Sequence, residues 1–499
     1  MKTICFADSK DPACYIFGRN NAFVIISASD VYHPIIAYSD ESDFNPESVA
    51  PPIEMWLRGI SERIAWAIQH IQKPTPETKT KWDQLLAGDV KMPAYLEEMK
   101  PMLSTTWNQG RYYNSMLPVD SSFGSNHPWT GCVATALAQI MNFYHFPKNG
   151  TGNNGIYSPY GWIEADFENT TYDWANMECN LEDENEAVAE LMYHAVIAVN
   201  SQIFPNGTGA YDVDAKNALV NYFNYRNTAV FIMRDDYAGN WTELLQEELS
   251  SGNPLIYGGV EQSSSVGHTF VFDGYVDDFF HVNWGWGGQF NGYYYLDTLT
   301  PGNYHFDVYH DAVLGIRPDF GGTPELYGPE NLMATVNSHV VELSWDTGMV
   351  NSSLELLGYD VYRNDTLLNC SIVKEQGFID TDVPAGNHYY KVFSVFIGKG
   401  NGPYAAADVV VSNVSELNAS GFSLFPNPTT GLINLHIPGM QSVDNKIEIY
   451  NPQGQKVFEK KTGKHASGTY QVNLRLSPGV YFLRFKSPTA RFAEQIVIL

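Results

Sequence analysis

A cysteine that directly follows a glycine opens the run GCVATALAQI at residues 131–140. The residues after Cys132 favour a helix, and Gly131 would let the chain turn tightly into it. A helix N-terminus supplies partial positive charge and unpaired N–H groups, which favour the thiolate that attacks carbonyl carbons. Cys132 is therefore a candidate nucleophile. The alternative is a small buried side chain, because free cysteine is among the most buried residue types.

A base for this nucleophile is found downstream, where His268 begins the apolar run HTFVFDGY. This run and FFHVNWGW, separated by a short acidic turn, predict a hairpin that would bring Asn283 close to His268. The Asn283 amide would then orient the imidazole, as the third member of a catalytic triad does, and Trp284 would shield the pair from water. The alternative for His268 is an edge histidine that bonds a backbone carbonyl.

Acyl transfer also needs hydrogen-bond donors aimed at the oxygen that becomes negative. The backbone N–H of Cys132 is one candidate, and the side-chain amide of Gln109, in TTWNQG, is a second. The alternative is that Gln109 is an ordinary surface residue. The order of cysteine, histidine and asparagine along the chain is that of papain-like peptidases.

The chain has 499 residues and a formal net charge of −27, and 44% of its residues are hydrophobic. These values predict folded domains with sizeable cores and argue against binding to nucleic acid or anionic lipid, which needs clustered Lys and Arg. No apolar stretch is long enough to span a membrane. The part from Gly421 onward carries nine Lys and Arg against four Asp and Glu, so its charge balance differs from that of the rest.

The cysteines are scattered and none forms a CxxC pair: they are Cys5, Cys14, Cys132, Cys179 and Cys370. This spacing predicts neither a disulfide scaffold nor a zinc site. The acidic segments YDVDAK and YVDDF lack the ligand spacing of an EF-hand. No metal and no organic cofactor is therefore expected.

Changes in composition and pattern divide the chain into four predicted domains, at residues 1–97, 98–318, 327–412 and 421–499. The first contains the strand patterns AFVIISA and PIIAYS and one amphipathic helix, PIEMWLRGISERIAWAIQHIQ, followed by a polar connector, KPTPETKTKWDQLLAGDVK. The second mixes helices and strands. The last two alternate short strands with turns, which is typical of β-sandwiches. The segments DFGGTPEL and NVSELNASG are predicted to link the last three domains.

Four motifs in chain order, TTWNQG, TGCVATALAQIM, VGHTFVFDGY and FHVNWGWGG, resemble those of the streptopain family of bacterial secreted cysteine peptidases. The resemblance covers most of the second predicted domain and implies an α+β papain-like catalytic domain. It implies Cys132 as the nucleophile and His268 as the general base. Gln109 would be an oxyanion donor, and Asn283 with Trp284 would position the histidine.

The first predicted domain resembles the pro-domain of the same family in the segment YIFGRNNAFVIISASDVYHPIIAYSDESDF. This implies an α+β domain that acts as an intramolecular inhibitor until the chain is cut in the connector, at roughly residues 75–100. Protein or peptide substrates are implied for the mature enzyme. The N-terminus lacks the apolar region of a secretory signal, so a truncated start is expected.

The C-terminal part resembles two further modules. Residues 327–412 resemble a fibronectin type III domain with Trp345 in its core, and either a binding role or a spacer role is open for it. Residues 421–499 resemble the C-terminal sorting domain of type IX secretion, in FSLFPNPTTGLINL, IEIYNPQGQKVFEKK and LSPGVYFLRF. This resemblance implies the type IX machinery as a partner and a location outside the cell or on its surface.

Together the motifs and resemblances predict an exported cysteine endopeptidase zymogen, with an α+β pro-domain and catalytic domain followed by two all-β sandwich domains. Two alternatives stay open at this point. One is a catalytically silent surface adhesin on the same scaffold. The other is a Cys–His acyltransferase of the transglutaminase type.

Overall fold

The computed structural model describes residues 2–5, 11–19, 21–44, 51–71, 73–88, 98–122, 126–204, 207–260, 267–296, 309–321, 326–337, 339–348, 354–398, 400–411, 423–440, 446–452, 454–461, 466–486 and 491–499. The predicted linker NVSELNASG and part of the predicted cleavage connector, residues 89–97, lie outside these ranges. None of the helices within them combines the length and the apolar character that a membrane span requires.

The helices of the described chain are α1 Pro51–His70, α2 Pro76–Leu86, α3 Cys132–Tyr144, α4 Glu186–Ala198, α5 Asp212–Asn221 and α6 Trp241–Ser250. The predicted amphipathic helix is α1, in which Ile53, Leu57, Ile60 and Ile64 are buried at spacings of three and four residues. Burying each such side chain stabilises the fold by ~1.5–3 kcal/mol.

The segment predicted as a polar connector contains a helix, α2, so that prediction was wrong over residues 76–86. Thr75 caps the helix by accepting the backbone N–H of Thr78 at 3.1 Å, and Pro76 occupies the first helical position. Trp82 attaches α2 to the N-terminal strands by donating its indole N–H to the Tyr32 carbonyl at 2.8 Å. The low apolar content of the segment hid a helix that is held by its cap, by the Trp82 hydrogen bond and by Lys81, which pairs with Asp278 and lies over the Tyr295 ring.

Strands of the first part of the chain are β1 Lys2–Cys5, β2 Pro12–Gly18, β3 Phe23–Ser27, β4 Ile35–Ser39, β5 Glu98–Met99, β6 Asn153–Ser158, β7 Gly161–Asp166, β8 Gln202–Phe204, β9 Gly207–Gly209, β10 Val230–Met233, β11 Leu255–Val260, β12 Gly267–Val276, β13 Phe279–Asn283, β14 Gly292–Tyr295 and β15 Asp311–Leu314. The predicted strands AFVIISA and PIIAYS correspond to β3 and β4. The predicted hairpin corresponds to β12 and β13, which pair antiparallel.

One large sheet connects the N-terminal strands to the strands of the second predicted domain. Its order is β1-β2-β3-β4-β14-β13-β12-β11-β15-β10, and β5 pairs with β12 at the side. The junction is the antiparallel pairing of Tyr38 and Ala37 in β4 with Tyr293 and Tyr294 in β14. Both parts also contribute to one hydrophobic core. The N-terminal segment, residues 2–88, is therefore folded onto its neighbour as an extension of the same sheet.

Helix α3 lies in a second core, which it shares with α4 and α5 and with one side of the large sheet. Its Leu137, Ile140 and Met141 are fully buried. The helix is surrounded by protein along most of its length, and its N-terminal residue, Cys132, is partly exposed. The core thus fixes the direction in which the first turn of α3 points.

The C-terminal part of the chain consists of strands: β16 Glu330–Asn337, β17 Val340–Asp346, β18 Leu356–Arg363, β19 Thr366–Leu367, β20 Gly377–Asp380, β21 Gly386–Phe396, β22 Gly400–Val411, β23 Ser423–Phe425, β24 Leu432–Met440, β25 Lys446–Tyr450, β26 Lys456–Lys461, β27 Ala466–Asn473, β28 Gly479–Lys486 and β29 Arg491–Ile498. Sheets β16-β17-β20 and β19-β18-β21-β22 share a core that contains Trp345 and Tyr359. Sheets β23-β24-β27 and β26-β25-β28-β29 share another core.

A disulfide joins Cys179 to Cys370 across 191 residues. The sequence prediction of no disulfide scaffold missed this bond, because two distant single cysteines give no spacing signal. The bond links the second predicted domain to the third, and the backbone carbonyl of Cys179 accepts the N–H of Thr106 at 2.7 Å. An exposed ion pair between Lys148 and Glu355, at 2.6 Å, adds a second contact between the two.

Cutting the chain between Gly321 and Gly322, at an inserted protease recognition sequence, should leave the two fragments covalently joined, because Cys179–Cys370 spans the cut. Non-reducing gels should show one band and reducing gels two. The Cys370→Ser variant is the control and should separate under both conditions. Two bands without reductant from the cut protein that retains both cysteines would contradict the covalent link.

Candidate active site

Cys132 is the first residue of α3, as the sequence predicted, and Gly131 lies before it with φ of 87°. A Cβ at Gly131 would lie 2.7 Å from the Thr208 carbonyl oxygen, so only glycine fits this turn. The backbone N–H of Thr130 donates to the Gln109 carbonyl at 3.0 Å. The turn into α3 is therefore held from both sides, by Thr208 and by the segment that carries Gln109.

The electrostatics of Cys132 differ from the expected thiolate. The residue is partly exposed, but protein atoms surround its sulfur, and this burial, followed by the negative charge of Asp212, raises the pKa of the thiol. The backbone N–H and the hydroxyl of Thr269, with the N–H of Val133, act in the opposite direction and are outweighed. The helix N-terminus alone does not ionise Cys132, so the thiol is neutral in this arrangement.

His268 lies near the start of β12, opposite Gly259 of β11. Its Nε2 is 2.9 Å from the Trp284 carbonyl oxygen and 3.0 Å from the indole Nε1 of Trp286. Burial lowers the pKa of His268 to about 4, although the Trp284 carbonyl acts in the opposite direction. Among the described contacts the imidazole bonds the loop that carries Trp284 and Trp286, called the tryptophan loop below, and not the Cys132 sulfur. The alternative that His268 bonds a backbone carbonyl thus describes its present position.

Asn283 is the last residue of β13 and pairs with Val271, not with His268. Its Nδ2 donates to the Thr105 carbonyl at 2.7 Å, and its Oδ1 accepts from Gln139 Nε2 at 3.2 Å. The predicted contact between the Asn283 amide and His268 is absent from these hydrogen bonds, because the strand register places the amide against the backbone of Thr105. A role for Asn283 in orienting the histidine stays a prediction.

Two tryptophans enclose His268. Trp284, the predicted shield, stacks on the imidazole with ring centroids 6.0 Å apart and an interplanar angle of 16°. Trp286 bonds the imidazole and also packs edge-on against the partly exposed Trp129 at 6.2 Å. Trp286 was not among the predicted site residues, although the repeated Trp-Gly of WGWG at residues 284–287 was a visible signal.

Gln109 is 5% exposed, and its side-chain Nε2 is buried without a hydrogen-bond partner in the described structure. An unpartnered buried amide N–H costs free energy, so such a donor indicates a ligand position. The alternative of an ordinary surface glutamine is wrong. The donor lies on the segment bonded to Thr130, two residues before Cys132.

Gln139, inside α3, connects the pieces of the site and was missed by sequence reasoning. Its Oε1 accepts from Thr105 Oγ1 at 3.0 Å and from the Trp107 N–H at 3.2 Å, while its Nε2 donates to Asn283. A buried glutamine within a helix has no distinctive sequence pattern. In the described residues, no group of three or more His, Cys, Asp and Glu side chains is placed to hold a metal.

Three protein-family models match the chain. Residues 107–294 match the Peptidase C10 family. Residues 2–64 match the Spi protease inhibitor, and residues 423–499 match the secretion system C-terminal sorting domain. The inhibitor match lies in the N-terminal segment, and the peptidase match lies in the part that contains α3 and strands β11 to β14. The sorting-domain match lies in the last two sheets.

Individual relatives agree with these matches. Streptopain of Streptococcus pyogenes is 30% identical over 341 residues, covering 61% of this chain and 80% of its own length. The thiol protease/hemagglutinin PrtT of Porphyromonas gingivalis is 26% identical over 407 residues, which are 76% of this chain and 45% of that protein, so the chain spans less than half of that relative. A solved prointerpain A fragment of Prevotella intermedia has 35% identity and a TM-score of 0.50, covering 63% of this chain and 99% of the fragment.

Replacing Gly131 with alanine should destabilise the turn into α3, because the left-handed backbone and the close Thr208 oxygen both exclude a Cβ. We expect a loss of about 1–3 kcal/mol in the free energy of unfolding, measured by denaturant titration. Gly110→Ala is the matched control, since a Cβ there would meet no atom within 4 Å. Equal stabilities of the two variants would contradict this account of the turn.

Proposed function

The chain belongs to the peptidase C10 family, the family of streptopain, and from this premise we propose that it is a cysteine endopeptidase zymogen with Cys132 as nucleophile. The match to an inhibitor at residues 2–64 supports inhibition by the chain's own N-terminal segment. The match to a sorting domain supports export to the cell surface or the medium, with the type IX machinery as partner. A catalytically silent adhesin is not favoured, because the relatives are proteases.

The observation that carries the proposal is the pairing of a helix-terminal thiol with an unpartnered donor. Cys132 opens α3, and the Gln109 amide is buried without a partner on the segment bonded to Thr130. A peptide carbonyl oxygen that becomes negative beside Cys132 would supply the missing acceptor for Gln109.

The reaction follows from these groups. Cys132 transfers its proton to His268, and the thiolate attacks the carbonyl carbon of a protein or peptide substrate. The Cys132 backbone N–H and Gln109 Nε2 hold the resulting oxyanion. His268 then gives its proton to the departing amine, which leaves a thioester on the sulfur. Water, deprotonated by His268, attacks the thioester and releases the acid and the free thiol.

In the resting arrangement described above, His268 Nε2 is engaged by the loop of Trp284 and Trp286, so it is not placed to accept the Cys132 proton. That loop leads to Phe290, whose N–H donates to Ser42 Oγ at 2.7 Å and whose ring packs on Phe44 at 5.1 Å. Both contacts come from the N-terminal segment. Removal of this segment would free the loop to move and allow His268 to approach Cys132, which is how we propose the zymogen is activated.

An ion pair between a buried histidine and a half-exposed glutamate also holds the N-terminal segment in place. His281 of β13 bonds Asp273 of β12 through Nδ1 at 2.5 Å and Glu41 through Nε2 at 2.6 Å. Burial by itself would lower the pKa of His281, but Asp273 and then Glu41 outweigh it and raise the pKa to about 10. The imidazolium therefore bridges the segment and the sheet at neutral pH.

The roles of the last two modules are proposed from resemblance. The fibronectin type III-like assignment of residues 327–412 stays a prediction, as does its function as a binding module or a spacer. The sorting domain would be recognised during export. Its separate core and its basic charge balance are consistent with a module that machinery outside the peptidase reads.

The purified chain should cut itself between residues 75 and 100 and gain casein-cleaving activity, whereas Cys132→Ala should stay whole and lose at least roughly 1000-fold of the activity. Intact mass under reducing conditions and a casein assay measure both. Adding a trace of processed parent to the variant is the control, since cleavage at the same place shows that the variant is folded. If the unmutated chain cleaves no casein after another protease has cut its connector, the peptidase proposal is wrong. Amine transfer without hydrolysis would indicate an acyltransferase.

Glu41→Gln should speed the release of the N-terminal segment, because it removes one of the two charges that keep His281 protonated. His281 keeps Asp273 when the segment leaves, so only the share of the raised pKa that Glu41 supplies is linked to docking, and this stabilisation is lost as pH rises through about 10. Self-processing rates from pH ~6 to ~10 measure this, and the variant should show a flatter profile than the parent. Glu62→Gln, on the exposed side of α1, is the matched control. Identical profiles for Glu41→Gln and the parent would rule out the role of the bridge.

A further inference from the structure

Two carboxyl groups outside the predicted catalytic set contact each other, and one of them, Asp212, acts on Cys132. Asp212 is the first residue of α5, and Asp311 is the first residue of β15. Thr269, the neighbour of His268 in β12, donates its hydroxyl to Asp212 Oδ1 at 2.5 Å. The Asp212 charge in turn acts on the Cys132 thiol. These residues come from three separate elements, so their meeting was invisible in the sequence.

A strand glycine makes room for this arrangement. Gly258 of β11 pairs with Thr269 on one side and with Asp311 on the other. A Cβ at Gly258 would lie 1.8 Å from Asp212 Oδ2 and 2.8 Å from Asp311 Oδ1. The carboxylate of Asp212 therefore occupies the space that a side chain at Gly258 would fill, between the two neighbouring strands.

The two carboxyl groups must share a proton. Asp311 Oδ1 is buried, and in the described structure no N–H or O–H group of another residue type donates to it. Burial, and then the charge of Asp212, raise the pKa of Asp311 to about 9, and burial raises the pKa of Asp212 as well. Two buried carboxylates in contact cannot both ionise, so Asp311 holds the proton and donates it to the Asp212 anion.

The Thr269 hydroxyl connects this pair to the nucleophile. It carries one proton, which it gives either to Asp212 or to the Cys132 sulfur. While Asp212 is an anion, the hydroxyl points toward the carboxylate and offers the sulfur less stabilisation as a thiolate. Within the described part of the chain, Tyr257 of β11 and His310, which bond each other at 2.6 Å, lie beside Asp311, and the charges of Arg63 and Arg234 act on both of them.

We propose that Asp212 and Asp311 share one proton and act through the Thr269 hydroxyl as a positioning pair that sets how readily Cys132 ionises. The inference rests on the proposed function only in that Cys132 is the nucleophile. The pair touches neither the substrate nor the reacting carbonyl in this scheme. It keeps the resting thiol unreactive until His268 reaches it, because it holds the Thr269 hydroxyl proton on Asp212.

The test is the rate at which iodoacetamide alkylates Cys132 in the full chain, followed by peptide mass spectrometry from pH ~6 to ~10. Asp212→Asn removes the charge beside Thr269, and we expect a roughly threefold to tenfold faster reaction near pH ~7.5, since one pKa unit changes the thiolate fraction tenfold. Thr269→Val removes a donor to the thiolate and should slow the reaction, whereas Thr269→Ser should retain the parent profile. Asp214→Asn, on the same helix, is the matched control and should leave the profile unchanged.

Opposite effects of Asp212→Asn and Thr269→Val separate this role from a structural one, because loosened packing would expose the sulfur and speed alkylation in both. A parent-like profile for Asp212→Asn, or a change of the same sign in both variants, overturns the proposal. Alkylation needs no peptide hydrolysis, so a failure of the peptidase proposal leaves this readout intact.

A second measurement applies if Asp212→Asn does not fold. Asp311→Asn can still donate to Asp212 but carries no titratable proton. The raised pKa of Asp311 means that the native state keeps a proton which the unfolded chain loses above pH ~4, so the stability of the parent falls as pH rises toward about 9. The melting temperature of the parent should therefore fall relative to that of Asp311→Asn between pH ~5 and ~9. A difference in melting temperature between the two proteins that does not change with pH would overturn the proposal that the pair shares a proton.

Discussion

The antiparallel register of β11, β12 and β13 is the constraint on which the site depends. Strand β12 lies between the other two and carries the consecutive residues His268 and Thr269, whose side chains point to opposite faces of the sheet. His268 meets the tryptophan loop that follows β13, and Thr269 meets Cys132 and Asp212. A shift of one residue in this register would exchange the faces of every side chain on β12 and separate the groups from one another. The sheet therefore does more to build the site than any single catalytic residue.

The N-terminal segment uses the same sheet to control the site. Its strand β4 pairs with β14, so the inhibitor-like part is continuous with the sheet that carries His268. Ser42 and Phe44 then hold Phe290 at the end of the tryptophan loop. Because the segment shares a hydrophobic core with its neighbour, the two form one folded unit. The segment therefore contacts the end of the loop that bonds His268, although it lies far from the sulfur in the sequence.

Burial decides the charge state of each ionisable group here unless an opposite charge is in contact. Cys132 and His268 are buried without such a partner and are neutral, while His281 stays charged because Asp273 and Glu41 bond both of its nitrogens. Asp212 and Asp311 avoid two buried like charges in contact by sharing a proton. Burial and charge pairing thus decide both the raised pKa of the Cys132 thiol and the ion pair that joins the N-terminal segment to the sheet.

The sequence by itself determined the identity of the nucleophile candidate, its place at a helix start, the hairpin that carries His268 and the strand patterns of the C-terminal part. These features are local, so helical spacing, glycine placement and alternation reveal them. Helix α2 was missed because a cap, not an apolar stripe, supports it. Only the tertiary structure decided that Asn283 bonds the Thr105 carbonyl, that Cys179 pairs with Cys370 and that Asp212 lies over Gly258. Such contacts join residues far apart in the chain, and strand register and burial, which no local pattern encodes, determine which of them form.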